Sequence, residues 1–339
     1  METVHTASLA SAPEGPPVAG AGLQNWHTIV ALASVVVAAL LAFSPELFND
    51  GDTYWHIAAG RLMIDTLGVP ATDPFSFTFR GHPWTAHEWL AEVLSAAAYR
   101  LGSWPAVATL HAAAVGLTLL LVGQRVGRTL PVRHTIVLLV LLASMLAPFT
   151  LARPHVLAWP LLAAFVVVLL RARDADRAPV WAGAAIMLVW ANLHASFALG
   201  LVLAALFGLE ALVQSNDRAR AFRQWGVFGL ALLVAALATP HGLEGLLFPL
   251  QVSSMDMTQT IAEWRASAWP KDWLFFLVAA GAVIAAAWRW RALGPVRLFI
   301  VAALLVMAIQ HARHQVPFAV VAALLIAPVL VAGGLPQQR

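Results

Sequence analysis

From Ala178 to Leu209 the chain carries no Asp, Glu, Lys or Arg. A bilayer crossing needs about 20 apolar residues, so this stretch is too long for one span. It breaks most naturally at Asn192-Leu193-His194, where polar groups suit a membrane surface. The whole chain shares this character. Of its 339 residues, 60% are hydrophobic and only 11% charged, with a mean hydropathy of +0.78. An ordinary soluble domain has about a quarter charged residues, so this composition excludes a soluble enzyme and a disordered protein. The pI is near 10.1, but the net charge is only +3, too small to coat a nucleic acid. There is no cysteine, which excludes disulfides, Fe–S clusters and thiol catalysis. What remains is an all-α, polytopic transmembrane helical bundle, because helices satisfy their own backbone in lipid.

The apolar runs place about ten spans, near 27–45, 104–123, 133–151, 155–170, 179–195, 197–215, 224–240, 273–288, 296–311 and 315–333. Residues 1–24 are rich in Ala, Pro, Gly and Ser and lack the basic n-region of a secretory signal. They read as a disordered cytoplasmic tail before a retained first span. Residues 25–333 then form one transmembrane domain, and 334–339 a second cytoplasmic tail. Arginines set the orientation. Arg125, Arg128 and Arg133 fall in one connection, and Arg171, Arg173 and Arg177 in the next even-numbered one. Arg218, Arg220 and Arg223 follow, then Arg289, Arg291 and Arg297. All four clusters lie on one face, which is expected to be cytoplasmic, with both termini there.

The opposite, extracytoplasmic face then receives the loops 46–103 and 240–272 and the short turns at 153–155, 192–194 and 311–314. It collects His56, His82, His87, His155, His194, His241, His311 and His314, together with eleven of the seventeen acids. Polar residues at such depths are costly and are commonly functional. Asp50-Gly51-Asp52-Thr53-Tyr54-Trp55-His56 opens the first loop. Asp52 is placed to cap a short helix running to about Leu67, and His56 shares its face at i, i+4. After the turn-rich Gly68–Pro74, a second short helix spans 87–100. Both are expected to lie along the membrane surface.

These residues resemble the GT-C superfamily of membrane glycosyltransferases, in particular bacterial polyprenyl-phosphate-dependent transferases of the lipid A, O-antigen and aminoarabinose type. The likeness rests on Asp50-Gly51-Asp52, Tyr54-Trp55-His56, Gly60-Arg61, Gly68-Val69-Pro70, Asp73-Pro74-Phe75-Ser76 and His87-Glu88-Trp89-Leu90. It continues through Arg153-Pro154, Asn192-Leu193-His194, Glu263-Trp264 and Arg313-His314. The resemblance implies a catalytic carboxylate in the first outer loop, a polyprenyl-phosphate-linked sugar as donor, and a bacterial inner-membrane location. Where family members commonly show adjacent acids, this chain has Asp50-Gly51-Asp52.

Chemistry assigns candidate roles. A carboxylate can deprotonate an acceptor hydroxyl, which makes Asp50 and Asp52 the candidate catalytic residues. Asp50 is preferred because Asp52 has the competing cap role. Arg153, His155, Arg313 and His314 are candidates for the donor phosphate, since Arg binds its oxygens bidentately. Glu88 and Glu263 are placed to orient the acceptor or to pair with those arginines, and His56, His87 and His194 complete the binding set. No metal spacing is diagnostic; Asp50, Asp52, His56, His87 and Glu88 include suitable ligand types for a divalent ion. Three other functions stay open: a non-catalytic assembly subunit, a lipid-linked polymer ligase, and a transporter.

Overall fold

A computed structural model describes residues 21–253 and 262–331, and among them the chain is helical, with one isolated β-bridge between Thr72 and Pro83. Twelve helices follow in order: α1 (Ala21–Ala42), α2 (Asp52–Thr66), α3 (Trp89–Val126), α4 (Val132–Leu146), α5 (Pro154–Asp174), α6 (Val180–Leu193), α7 (Phe197–Gln214), α8 (Arg218–Leu237), α9 (Gly242–Ser253), α10 (Trp273–Trp288), α11 (Trp290–Gln310) and α12 (Gln315–Val331). Helices α1, α3, α4 (with the turn after it), α5, α7, α8, α11 and α12 are long and apolar enough to cross a membrane. Helices α6 and α10 are as apolar but shorter. The protein is therefore read as an integral membrane protein. The expected tails lie outside the described residues, except that α1 already begins at Ala21.

Burial sorts helices that hydropathy alone cannot separate. The most apolar windows of α5, α12 and α3 are 72%, 67% and 61% buried inside the bundle, against 11% for α1. Helices that are apolar all round suit either a core or lipid; here α3, α5 and α12 form the core and α1 presents its side chains outward. Small residues let α1 close on α3. A Cβ on Gly116 would meet Ala38 at 2.8 Å, and one on Gly123 would meet Val30 at 2.6 Å. Close backbone approach of this kind holds membrane helices together where no hydrophobic drive exists.

The loop expected over 240–272 contains helix α9 and a short 3-10 turn at Ala262–Trp264. The expected break at 192–194 falls between α6 and α7. The short helix expected at 87–100 and the span expected at 104–123 are two helical pieces of α3, separated where Gly102 and Ser103 leave helical geometry. Ser103 takes φ 56°, ψ −150° there.

Helix α2 docks on the first half of α3 through Gly60, where an added Cβ would lie 2.0 Å from the Glu92 carbonyl oxygen. Ala59 and Met63 are buried in the same small core with Ala86. Gly60→Ala must therefore push the two helices apart, at about 1–3 kcal/mol for overpacking. The expected result is a lower melting temperature with Gly68→Ala unaffected, since a Cβ on Gly68 would make only an ordinary contact, 3.8 Å from the Thr66 carbonyl oxygen. Equal melting of both variants would show that α2 is not held by this contact.

Candidate functional site

Six segments meet at one end of the bundle: the α1–α2 turn, the strand-like approach to α3, the start of α5, the α6–α7 corner, the stretch before α10 and the α11–α12 corner. At the other end Arg125 pairs with Asp174 (2.8 Å) and Arg297 with the buried Glu210 (3.0 Å). The carboxylates and histidines singled out in the sequence lie at the first of these ends.

Arg153, the residue before α5, stands at the centre. Its guanidinium lies 3.1 Å from Asp50 Oδ2, 2.9 Å from Asp52 Oδ2 and 2.8 Å from Glu263 Oε1. Burial works against the Arg153 charge, but Glu263, Asp50 and Asp52 outweigh it and hold its pKa above the ordinary arginine value. A phosphate role for Arg153 therefore requires displacing a carboxylate.

The two aspartates differ, and in the opposite sense to that expected. Gly51 is already in helical geometry, so Asp52 becomes the first residue of α2 and its own side chain caps nothing. Asp50 does the capping: its Oδ1 accepts the Asp52 backbone N–H at 2.8 Å. Both Asp50 oxygens are thus engaged. Asp52 gives one oxygen to Arg153 and is 47% exposed. Asp52 and His56, expected on one face of α2, find different partners. His56 turns inward and its Nδ1 meets Glu92 Oε1 at 3.1 Å, both side chains being buried.

Glu88 sits just before α3 and receives two histidines. His194 Nε2 lies 3.3 Å away and His87 Nε2 3.6 Å away. The Ser196 backbone N–H donates to His194 Nδ1 (3.1 Å), which places the His194 proton on Nε2, aimed at Glu88. Both ring nitrogens of His87 face acceptors, the Thr85 carbonyl at 3.3 Å and Glu88. That is the pattern of an imidazolium. Burial alone would lower the His87 pKa and raise that of Glu88. The Glu88 charge overrides it for His87, whose pKa is raised, and His87 and His194 hold Glu88 well below the usual carboxylate range. The sign follows. Stabilisation from His87 is complete below its ordinary value and is lost as pH rises through the higher folded value. The melting temperature is expected to fall from mildly acidic to alkaline pH, and His87→Gln to flatten that fall. Parallel curves for the two proteins would contradict the assignment.

The stretch before α10 is tied to the α11–α12 corner. Arg265 grips Asp272 with two bonds of 2.6 and 2.8 Å, pulling the Asp272 pKa down to about 2. Ser267 N–H donates to Ile309 O, Ala312 N–H to Arg265 O, and His311 Nδ1 to Trp264 O. These bonds fix Glu263 against Arg153 and set Trp264 under Arg313, whose guanidinium is 4.6 Å from the ring centroid. Among the described residues Arg313 has no salt bridge or hydrogen bond; Glu263 and Glu88 are its carboxylates within electrostatic reach. His155 donates from Nε2 to Phe149 O (2.9 Å), and its ring is 6.4 Å from that of His194. His314 Nδ1 faces Met307 O at 3.4 Å.

Eight of the eleven candidates therefore share one centre: Asp50, Asp52, Arg153 and Glu263 in one group, with Glu88, His87, His194 and His155 beside it. Arg313 flanks them, whereas His56 and His314 serve neighbouring contacts. Among the described residues no three of His, Asp and Glu converge as a metal would need: Asp50 and Asp52 face Arg153, His56 faces Glu92 and His87 faces Glu88. Sequence reasoning missed the Thr85–Glu244 hydrogen bond, which ties α9 to the approach to α3, and the Trp89–Asn192 bond of 2.9 Å. It also missed the Trp264–Arg313 stack, which only the adjacent Glu263-Trp264 marks could have suggested.

A groove of about 360 Å³ opens beside Glu263, between the end of α4 and the start of α10. Met145, Phe149, Trp273 and Phe275 line its apolar side, and Glu263, Arg265, Lys271 and Asp272 line it with charge. No protein-family model, curated protein or solved structure matches the chain.

Proposed function

We propose that the protein is a membrane glycosyltransferase that moves a sugar from a polyprenyl-phosphate donor to an acceptor hydroxyl at this end of the bundle. One observation carries the reading: carboxylates from separate segments converge on Arg153, while Arg313, among the described residues, has no carboxylate contact and lies near a groove with an apolar side. Asp52, with its unengaged oxygen, accepts the hydroxyl proton. Arg313 receives the departing phosphate, helped by Lys271, and the groove takes the first units of the prenyl chain. Attack opposite the phosphate inverts the anomeric centre. Asp50 positions the start of α2, and Glu88 with its histidines faces the acceptor.

In this reading the site is extracytoplasmic, both termini are cytoplasmic, α6 and α10 also cross to give ten spans, and α2 with the first half of α3 lies along the membrane surface. The lack of native cysteine makes the orientation simple to test. A single cysteine at Ser76 should react with an impermeant thiol reagent in intact cells, and one at the exposed Ala175 should not. The reverse pattern would place the carboxylates in the cytoplasm and remove the case for a donor from the outer leaflet.

The activity itself is tested with purified protein in liposomes, supplied with a panel of polyprenyl-monophosphate sugars and extracted envelope glycolipid as acceptor. Transfer of label from one donor is the expected result. A second reading, an assembly subunit without catalysis, draws on the satisfied state of Arg153: three carboxylates around one guanidinium is what a structural clamp would also show. Donor left intact by the whole panel, with the protein folded, would favour it.

A further inference from the structure

The arginine-rich end holds a cavity of about 650 Å³ between the end of α5, the start of α6 and the start of α8. Arg171, Arg177 and Arg223 stand around it, one from each of α5, the α5–α6 turn and α8. Among the described residues none of their guanidiniums has a salt bridge or a hydrogen bond. Their neighbours behave differently: Arg125 pairs with Asp174, Arg173 lies by Glu210 and Asp176, and Arg297 pairs with Glu210. The acids at this end go to those arginines or, for Asp217, to the start of α8, and of the arginines left without an acid among the described residues, Arg171, Arg177 and Arg223 are the ones that line this cavity. The walls below them are apolar, formed by Val168, Val180 and Val227. Trp181, 87% exposed, stands at the rim, where membrane-interface tryptophans anchor at headgroup depth. The exposed face of α8 continues from Val227 through Leu230 to Val234, so the cavity leads onto lipid-facing surface.

We propose that this cavity binds the phosphate headgroup of an anionic glycerophospholipid, with its acyl chains along α6 and α8. Basic pockets between membrane helices suit such headgroups. A soluble anion would need the cations but would have no use for the apolar walls. The site is independent of the transferase reading.

Native mass spectrometry of protein taken from phosphatidylcholine nanodiscs, with and without phosphatidylglycerol, tests this. Wild type should retain phosphatidylglycerol in preference to phosphatidylcholine. Each of R171Q, R177Q and R223Q should weaken retention about fivefold, from roughly 1 kcal/mol per interfacial arginine, and the triple variant should lose the preference. The control triple R128Q/R133Q/R218Q, at the same end but outside the cavity, should keep it. Equal losses in both triples would mean a diffuse surface potential and overturn the site, as would undiminished retention in the cavity triple. Displacement of the lipid by millimolar inorganic phosphate would also overturn it, in favour of a soluble anion.

Discussion

Asp52→Asn is expected to lower sugar transfer by roughly 10²- to 10⁴-fold, about 3 to 5 kcal/mol of barrier, while donor binding persists. Asn keeps the shape of the side chain and can still meet Arg153, but it cannot take the proton from the attacking hydroxyl. Asp50→Asn should act differently. Its Oδ1 accepts the N–H that starts α2 and its Oδ2 meets Arg153. An amide oxygen can retain the first bond, so loss of about 0.5–2 kcal/mol of capping is the ceiling, reached with Ala rather than Asn. Melting measurements and initial rates on the same preparations separate the roles. A wild-type rate for Asp52→Asn would remove the proposed base, and a large rate loss confined to Asp50→Asn would move that role to Asp50.

The second large effect concerns stability. Arg153→Ala leaves Asp50, Asp52 and Glu263 facing each other without their shared cation. Breaking a buried ion pair from one side costs about 3–5 kcal/mol. Here Asp50 and Glu263 are 17% and 22% exposed and Asp52 is 47% exposed, so solvent screening sets the cost at or below that range. The loss should be partly rescued by adding Glu263→Gln, because one of the stranded charges is then gone. Thermal or denaturant unfolding of the two variants in one detergent measures this. Additive losses in the double variant would mean that Arg153 and Glu263 are not coupled, and that the cluster is three separate surface contacts.

How far the sequence could be read depended on whether a feature is local. Spans follow from apolar runs punctuated by arginines, so α4, α7, α10 and α12 begin within a residue or two of expectation. The α6–α7 break was legible because Asn192 and His194 interrupt an otherwise charge-free run. The break at Gly102–Ser103 was legible too, since the polar 87–100 helix and the apolar run from 104 differ in character. Partners were the harder problem. Arg153 meets Asp50 and Glu263 across separations of 103 and 110 residues, and no spacing rule links such positions. His56 illustrates a partner that spacing could not name: i, i+4 logic put it on a face with Asp52, but docking of α2 at Gly60 brings it to Glu92. The exchange of roles between Asp50 and Asp52 turned on the backbone of Gly51 alone. Glu210 escaped notice because it ends a long apolar run, and its two arginines come from other helices.

The proposed site is tested most directly by photo-crosslinking with a polyprenyl-phosphate sugar that carries a diazirine on its first prenyl unit. Adducts are located by peptide mass spectrometry of the protein in liposomes. They are expected in 144–155, 263–275 and 311–316, which surround the groove, Arg153 and Arg313, and to be suppressed by unlabelled donor. Adducts spread evenly over the outward faces of α1 and α8, or confined to the arginine-rich end, would contradict a donor site at the carboxylate cluster.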